Sequence, residues 1–226
     1  MRSQVRYVPW LYRLMGHLLG LAIEVLGGVR SVGLENIPAS GPGILISNHT
    51  TFADPLVAGY GTAWRVDRVV HMMSKAELRT WPVLGWLAAQ GGVIFVRRGE
   101  ADRDAQRNTM DILAAGGLVL LFPEGTRSPD GALIRARNGA ALLAMRTGAP
   151  IIPIGIHDID RMLSWKAPFR RRPVCNLHVG PPVHLPHRPQ GPIDRAELVD
   201  ATTHFMRALA ELLPPDRRGV YGADSP

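Results

Sequence analysis

His49 and Asp54 are the residues whose types and spacing most directly suggest chemistry in this sequence. They follow a short aliphatic run from Gly43 to Ser47, which predicts a buried strand. Side chains five positions apart do not share a helix face, so these two can meet only if the chain turns between them. An imidazole held by a carboxylate is suited to general-base catalysis. With no protein nucleophile beside it, such a base would act on a hydroxyl supplied by another molecule.

Two simpler interpretations compete with a catalytic pair. Asp54 precedes Pro55, and an acid before proline is a typical helix N-cap. His49 is equally compatible with an ordinary polar residue at a strand end. One His and one Asp are an incomplete ligand set, and the sequence has no Cys pair or His-Glu-x-x-His motif, so no metal is expected. The sequence around the pair therefore leaves its role open.

The composition indicates one globular domain in a reducing compartment. The chain has 226 residues, of which 46% are hydrophobic and 20% are charged. Its single cysteine, Cys175, excludes an internal disulfide and lies in an apolar-alternating segment typical of a core thiol. The net charge is +7, and Lys75 and Lys166 are the only lysines. Such an arginine excess favours planar anions such as phosphates, whereas motifs of nucleic-acid-binding proteins are absent, so no nucleic acid partner is expected.

Residues 8–29 form an apolar segment that is interrupted by Arg13, His17 and Glu24. This segment is too polar for a spanning helix, which needs about 20 predominantly apolar residues. The pattern predicts a membrane-interfacial helix or helical pair, with Trp10 and Tyr12 suited to the headgroup zone. A helix packed on the protein's own core is the alternative. We expect an N-terminal helical segment at 1–35, a main domain at 36–213 and a flexible tail at 214–226.

Downstream of this segment, apolar runs alternate with helical patterns. This alternation predicts an α/β fold with a mostly parallel central sheet flanked by helices. The predicted strands are Ile44 to Ser47, Arg68 to Met73, Val93 to Val96, Leu118 to Phe122, Ile151 to Ile156 and Asn176 to Val179. The predicted helices are Pro55 to Ala63, Ala76 to Ala89, Ala101 to Ala115, Gly139 to Thr147 and Asp194 to Leu213.

Polar residues come directly after three of the predicted strands. His49 follows one strand, Arg97 and Arg98 follow another, and the loop from Glu124 to Ser128 follows a third. Ligands of open parallel sheets bind beyond the carboxyl ends of the strands, so the three sets are expected to converge on one edge. A surface turn and a solvated strand end are the plain alternatives. Adjacent strand residues face opposite ways, so one of the two arginines is expected to point into the site.

Four ordered blocks of residues resemble the glycerolipid acyltransferase family, of the 1-acylglycerol-3-phosphate (lysophosphatidic acid) acyltransferase type. The blocks are Asn48-His49 with Asp54, Gly92 to Arg98, Phe122 to Ser128 and Ile151 to Gly155. The resemblance implies transfer of an acyl group from an acyl thioester, either acyl-CoA or acyl carrier protein, to the hydroxyl of the lysophospholipid 1-acylglycerol 3-phosphate. The product would be phosphatidic acid for phospholipid biosynthesis. It implies no cofactor beyond this co-substrate, and a peripheral or monotopic enzyme on the cytoplasmic face of the cell membrane.

The resemblance also implies a role for each matched residue. His49 would be the general base and Asp54 would hold its tautomer, as in a serine hydrolase triad whose hydroxyl is supplied by the substrate. The implied substrate-binding residues are Arg97, Arg98 and Arg127 for the phosphate, Glu124, Gly125 and Thr126 for the glycerol, and Pro153 for the acyl-donor side.

Two departures from the family pattern concern the acceptor. Arg97-Arg98 stands where many lysophosphatidate acyltransferases carry an acidic residue before the arginine, and Ala136 stands where relatives usually have an aromatic. Glycerol 3-phosphate or a lyso-aminolipid is therefore an alternative acceptor, and a non-catalytic lipid-binding protein is the alternative of a different class. The segment from Ser164 to Arg172 mixes aromatic and basic residues, which predicts contact with anionic headgroups or an acidic carrier protein. A solvated basic loop is the alternative there.

Overall fold

The computed structural model describes residues 7–97, 102–163 and 174–222, and within these ranges seven strands form one sheet. The strands are β1 (Val29–Val32), β2 (Gly43–Ser47), β3 (Val70–Lys75), β4 (Ile94–Val96), β5 (Leu118–Leu121), β6 (Ile151–His157) and β7 (Cys175–Val179). Their order across the sheet is β1-β7-β6-β2-β5-β3-β4. Every pairing is parallel except that of β6 with β7. The predicted mostly parallel sheet is confirmed.

Helices cover both faces of this sheet. They are α1 (Pro9–Val25), α2 (Asp54–Gly61), α3 (Leu84–Gln90), α4 (Arg103–Ala114), α5 (Gly139–Thr147), α6 (Ile159–Met162) and α7 (Arg195–Glu211). Ile44 and Ile46 of β2 belong to the core shared with α4, α5 and α7, whereas Leu45 belongs to the core shared with α1, α2 and α6. Strand side chains alternate between faces, so a strand buried on both sides reads as a continuous apolar run.

One strand was not predicted, and one predicted helix needs correction. The sequence analysis placed no strand at Val29–Val32, where β1 pairs with β7 at the sheet edge. Only Val29 of this strand is buried, so its apolar pattern was too short to indicate a strand. The predicted helix from Ala76 to Ala89 is instead a 3-10 turn, Ala76–Thr80, followed by α3. Trp81 between them is extended, because the residue before Pro82 is disfavoured in the helical region.

The predicted N-terminal helix is present as α1. Gly16 and Gly20 let it pack closely, since a Cβ at these positions would lie 2.6 Å from the Trp64 ring and 2.5 Å from the Tyr60 ring. Among the helices of the described residues, none combines the length and the hydropathy needed to cross a bilayer.

The chain after α7, predicted to be a flexible tail, forms two 3-10 turns at Pro215–Arg217 and Gly219–Tyr221. The Tyr221 hydroxyl accepts a hydrogen bond from the Ala136 N–H at 2.9 Å. The backbone of this segment also bonds to Leu133. Pro and Gly suggested a tail without structure, but these long-range contacts hold residues 214–222 against the domain.

Candidate active site

His49 and Asp54 form a hydrogen-bonded pair just beyond β2. Nδ1 of His49 lies 2.9 Å from Oδ2 of Asp54, and the Asp54 side chain is fully buried. A carboxylate only accepts hydrogen bonds, so the assigned tautomer carries its hydrogen on Nδ1 and leaves a lone pair on Nε2. The His49 ring packs on Phe122 with centroids 4.4 Å apart and lines the cavity described below. The predicted spatial pairing of the two residues is confirmed.

The Asp54 carboxylate also organises the loop between the two residues. Its Oδ2 accepts from the Thr50 N–H and the Thr51 N–H, and its Oδ1 accepts from the Thr51 hydroxyl at 2.7 Å. The N-cap position of α2 belongs to Ala53, and no side chain caps this helix. The interpretation of Asp54 as a helix cap is therefore wrong, because its oxygens face the preceding loop and the imidazole.

The turn after β5 holds the backbone of His49 from two directions. Glu124 accepts from the His49 N–H at 2.9 Å, and the Ser128 N–H donates to the His49 carbonyl at 2.7 Å. The second oxygen of Glu124 accepts from the Ile134 N–H at 2.9 Å. Burial raises the pKa of Glu124, and the two N–H donors oppose that rise. The resemblance implies contact of Glu124 with the glycerol, and the contacts that the structure shows are those of its two oxygens with backbone N–H groups.

A cavity of ≈ 440 Å³ opens beside the His49 ring. It lies beyond the carboxyl ends of β2, β3, β4 and β5, where ligands of parallel sheets bind. Its apolar wall is formed by Met73, Val96, Leu121, Ala140 and Leu143. The convergence of strand ends expected from the sequence is therefore confirmed for His49, Arg97 and Gly125, which all line this cavity.

Three cations line the same cavity: Lys75 at the end of β3, Arg97 after β4, and Arg137. None of them forms an ion pair with another described residue. Asp102, also in the lining, is occupied: it accepts from the Arg97 N–H at 2.9 Å and caps α4. Hydrogen bonds from Arg97 and Ala105 lower the pKa of this carboxyl. Asp102 also interacts electrostatically with Arg97, whereas Lys75 and Arg137 have no carboxylate partner among the described residues.

Three further predicted site residues, Thr126, Arg127 and Pro153, do not line the cavity. Thr126 and Arg127 are exposed, and neither is among the residues that line the cavity. Pro153 lies within β6, paired with Ile46, and packs toward Gly180 rather than the cavity. Arg98 falls outside the described residues, as does the segment from Ser164 to Arg172. Within the described ranges, no group of His, Cys, Asp or Glu side chains is arranged to hold a metal ion.

Lys75 and Arg137 are cavity residues that the sequence analysis did not assign to the site. Lys75 is the last residue of β3, whereas the predicted strand ended at Met73. With the correct strand end, the expectation that polar residues at the carboxyl ends of strands line the site would have included Lys75, as it included Arg97. Arg137 follows no strand. Its side chain crosses Gly125, where an added Cβ would lie 3.0 Å from the Arg137 Nε, and its backbone N–H donates to the Pro123 carbonyl. Only the folded loop shows this contact.

The fold and this site define an acyltransferase-type domain, and comparison with known proteins agrees. A family model described as Acyltransferase matches residues 28–157, which is more than half of the chain. The chain belongs to this family.

Named relatives specify the family further. A chloroplastic 1-acyl-sn-glycerol-3-phosphate acyltransferase of Brassica napus is 35% identical over 58% of this chain, which spans 38% of that relative's length. A lyso-ornithine lipid O-acyltransferase of Pseudomonas aeruginosa is 32% identical over 74% of the chain and 67% of its own length. The crystal structure of a 1-acyl-sn-glycerophosphate acyltransferase from Thermotoga maritima superimposes with a TM-score of 0.66 at 25% identity, covering 89% of this chain and 78% of that one.

Proposed function

We propose that the protein transfers an acyl group from an acyl thioester to the free hydroxyl of 1-acylglycerol 3-phosphate, giving phosphatidic acid. The observation that carries this proposal is the His49–Asp54 pair, with Nδ1 held at 2.9 Å by the carboxylate and the ring facing the cavity. Two of the three relatives named above are acyltransferases of 1-acylglycerol 3-phosphate.

In the proposed reaction, Nε2 of His49 removes the proton of the acceptor hydroxyl as the oxygen attacks the thioester carbonyl. A C–O bond forms, the C–S bond breaks, and the imidazolium returns the proton to the departing thiolate. Asp54 stabilises the imidazolium through Nδ1 and fixes the ring orientation. The protein supplies no nucleophile in this scheme, so no covalent acyl-enzyme forms.

The cations of the cavity support a phosphate-bearing acceptor. Lys75, Arg97 and Arg137 share the lining with His49 and form no ion pairs among the described residues. A phosphate held by them would bring the neighbouring glycerol hydroxyl to the imidazole, and such positioning lowers the barrier by making the attack effectively unimolecular. Arg127 is not included in this set because its side chain does not line the cavity.

Exposed apolar residues support binding of the domain to a membrane surface. On α1 the exposed set is Trp10, Leu14, Leu18, Leu21 and Val25, whose spacing places them on one helix face. A second exposed set is Trp81, Val83, Leu84 and Trp86, at the start of α3. The start of α1 lies beside the end of α3, since the Val8 N–H donates to the Gln90 carbonyl at 3.0 Å. We propose peripheral attachment through these exposed apolar residues, which would bring lipid substrates to the cavity.

The test is an assay of purified protein with acyl-CoA and 1-acylglycerol 3-phosphate, read out by mass spectrometry. His49→Ala should lower kcat by about 10²–10⁴, the usual contribution of a positioned base. His204→Ala is the matched control, because His204 is an exposed histidine of α7 outside the cavity. Near-normal turnover by folded His49→Ala protein would refute the mechanism. If the unaltered protein binds acyl-CoA and 1-acylglycerol 3-phosphate but forms no product, a non-catalytic lipid-binding protein is favoured.

A lyso-aminolipid is the second candidate acceptor, favoured by the 32% identity to the lyso-ornithine lipid relative. The acceptor panel should therefore contain lyso-ornithine lipid and glycerol 3-phosphate beside 1-acylglycerol 3-phosphate. The cationic lining predicts the highest kcat/KM for a phosphate-bearing acceptor. A clear preference for lyso-ornithine lipid would leave the proposed role of His49 and Asp54 unchanged and would identify the aminolipid as the acceptor.

A further inference from the structure

A second cavity of ≈ 650 Å³ lies between α7 and the segment 135–138. We call it the arginine cavity, because its lining includes Arg135, Arg137, Arg195 and Arg207. The C-terminal turn closes one side through Val220 and Tyr221, and the bond from the Ala136 N–H to the Tyr221 hydroxyl joins that turn to the segment 135–138. The catalytic proposal uses only Arg137 of this cavity.

One face of α7 forms the opposite wall. Arg195, Val199, Thr203 and Arg207 recur at intervals of four, which places them on a single helix face. Thr202 lies beside this face, and its residue is 3% exposed. The Thr202 hydroxyl is buried without a hydrogen-bond partner in the described part of the chain, although the neighbouring Thr203 hydroxyl donates to the Val199 carbonyl at 2.9 Å. A buried hydroxyl without a partner is costly. The hydroxyl oxygen of Thr202 is itself inaccessible, so it reaches the cavity only when the side chain rotates about χ1.

The charge of the cavity is entirely positive among the described residues. The described residues of its lining include no carboxylate, and none of its arginines forms an ion pair with another described residue. Arginines nearby do find such partners: Arg188 pairs with Glu197 at 3.5 Å, and Arg217 pairs with Asp160 at 3.3 Å. Clustered guanidinium groups without carboxylates are suited to phosphoester oxygens, which they bind through paired N–H donors.

Arg137 links this cavity to the catalytic one, since it lines both. Arg137 is therefore the residue of the segment 135–138 that belongs to the lining of both the His49 cavity and the arginine cavity. A ligand that carries its reacting group and its phosphates at opposite ends of a flexible chain could occupy the two cavities together. Coenzyme A thioesters have this form, because a pantetheine arm separates the thioester from a pyrophosphate and a ribose phosphate.

We propose that the arginine cavity binds phosphoester groups and receives the nucleotide phosphates of a coenzyme A thioester donor. The identity of the donor rests on the proposed acyl transfer, whereas phosphate binding in the cavity does not. Arg195 and Arg207 hold the phosphates from α7, Arg135 holds them from the segment 135–138, and the Thr202 hydroxyl, after rotation of its side chain about χ1, donates to a phosphate oxygen.

The test compares Arg195→Ala/Arg207→Ala with Arg30→Ala, which removes an exposed arginine of the edge strand β1. Calorimetry with coenzyme A and with inorganic pyrophosphate measures binding without turnover. The double variant should bind both at least about tenfold more weakly, as expected for lost hydrogen bonds to a charged group, and Arg30→Ala should bind them normally. In turnover, KM for the coenzyme A thioester should rise by a similar factor, while KM for the matching acyl-pantetheine thioester, which lacks the phosphates, should not change.

Several results would overturn the proposal. Unchanged coenzyme A binding by the double variant would show that the arginine cavity does not bind coenzyme A. An equal rise of KM for both thioesters would show that the substitutions disturb the protein generally and not a contact with the phosphates. Loss of binding to phosphatidate vesicles with unchanged coenzyme A binding would assign the arginines to lipid headgroups. Weakened coenzyme A binding together with full activity of His49→Ala would leave the site standing and refute the catalytic proposal.

Thr202→Val provides a second measurement, because it keeps the size of the side chain and removes the hydroxyl. It should weaken coenzyme A binding while leaving the free energy of unfolding unchanged or higher, since the hydroxyl has no hydrogen-bond partner among the described residues. A loss of stability with normal coenzyme A binding would contradict its assigned contact with phosphate.

Discussion

Oε1 of Glu124 lies 2.9 Å from the backbone nitrogen of His49, 75 residues earlier in the chain. The carboxylate is 3% exposed, so this hydrogen bond forms where water cannot replace it. Together with the bond from the Ser128 N–H to the His49 carbonyl, it fixes the backbone that carries the imidazole. The turn after β5 therefore positions the base of the proposed reaction through Glu124 and Ser128.

Glu124→Gln should impair both stability and catalysis. A glutamine amide has one oxygen, so it cannot accept from both the His49 N–H and the Ile134 N–H. One buried donor is left unsatisfied, which costs about 1–3 kcal/mol in the free energy of unfolding measured with urea. A displaced His49 should also lower kcat, since misplacement by about 1 Å can cost about 10²-fold. Glu211→Gln, on the exposed end of α7, is the control. Normal kcat in a destabilised Glu124→Gln protein would show that the turn does not set the position of the base.

The stability of the protein should depend on pH through Glu124. Burial raises its pKa above the ordinary value of 4.5, so the folded state binds this proton more tightly than the unfolded chain does. The stability that the protonated Glu124 contributes is fully present at a pH below the pKa of this group in the unfolded chain. It falls as the pH rises through the pKa of the group in the folded protein. Glutamine does not titrate, so the destabilisation caused by Glu124→Gln should be larger below the ordinary glutamate range than at neutral pH. Urea unfolding of both proteins across this range tests the sign. A difference that grows with pH would contradict it.

The pairing of His49 with Asp54 could be predicted because it depends on local rules. A strand that ends before His49, a turn, and a helix that begins near Pro55 bring residues five positions apart together. What could not be predicted is the direction of the Asp54 oxygens. The sequence suggested a cap on α2, but the preceding Thr50 and Thr51 N–H groups compete successfully for the same acceptor.

The cationic part of the cavity was only partly predictable, because it depends on strand ends and side-chain directions. Lys75 was missed since β3 continues two residues past its predicted end, and strand boundaries are poorly marked in sequence. Pro153 and Arg127 were assigned through similarity to a family pattern, which gives the position of a residue in the chain but not the direction of its side chain. Arg137 reaches the cavity through a loop whose path depends on distant contacts such as that of Tyr221.

Asp54→Asn should lower kcat by roughly 10²–10⁴, because a neutral amide cannot stabilise the imidazolium that forms when Nε2 takes the proton. Thr51→Val is the matched comparison. It removes the 2.7 Å bond from the Thr51 hydroxyl to Asp54 but keeps the carboxylate, so its effect on kcat should be much smaller. Circular dichroism establishes that both proteins are folded. Equal losses in kcat would mean that Asp54 acts by holding the loop and not through the imidazole.

Removing a cationic side chain from the cavity should weaken binding of the phosphate-bearing acceptor specifically. Lys75→Met or Arg97→Met should raise KM for 1-acylglycerol 3-phosphate by about tenfold, the usual effect of losing one charged hydrogen bond. KM for a neutral 1-acylglycerol should change little, because that acceptor has no phosphate. Arg107→Met is the control, since Arg107 is exposed on α4 and does not line the cavity. Parallel changes in KM for the two acceptors would argue against a phosphate contact.

Gly125→Ala should affect the site through Arg137. Gly125 has φ +70°, where any side chain is strained, and a Cβ there would lie 3.0 Å from the Arg137 Nε. We expect a loss of about 1–2 kcal/mol in the free energy of unfolding from the left-handed backbone alone. Displacement of the guanidinium should in addition raise KM for 1-acylglycerol 3-phosphate. Gly191→Ala separates the two effects, because Gly191 has φ +79° but no atom within 4 Å of an added Cβ. It should show the same loss of stability with an unchanged KM. If Gly125→Ala also leaves KM unchanged, Arg137 does not contact the acceptor, and the phosphate is held by Lys75 and Arg97.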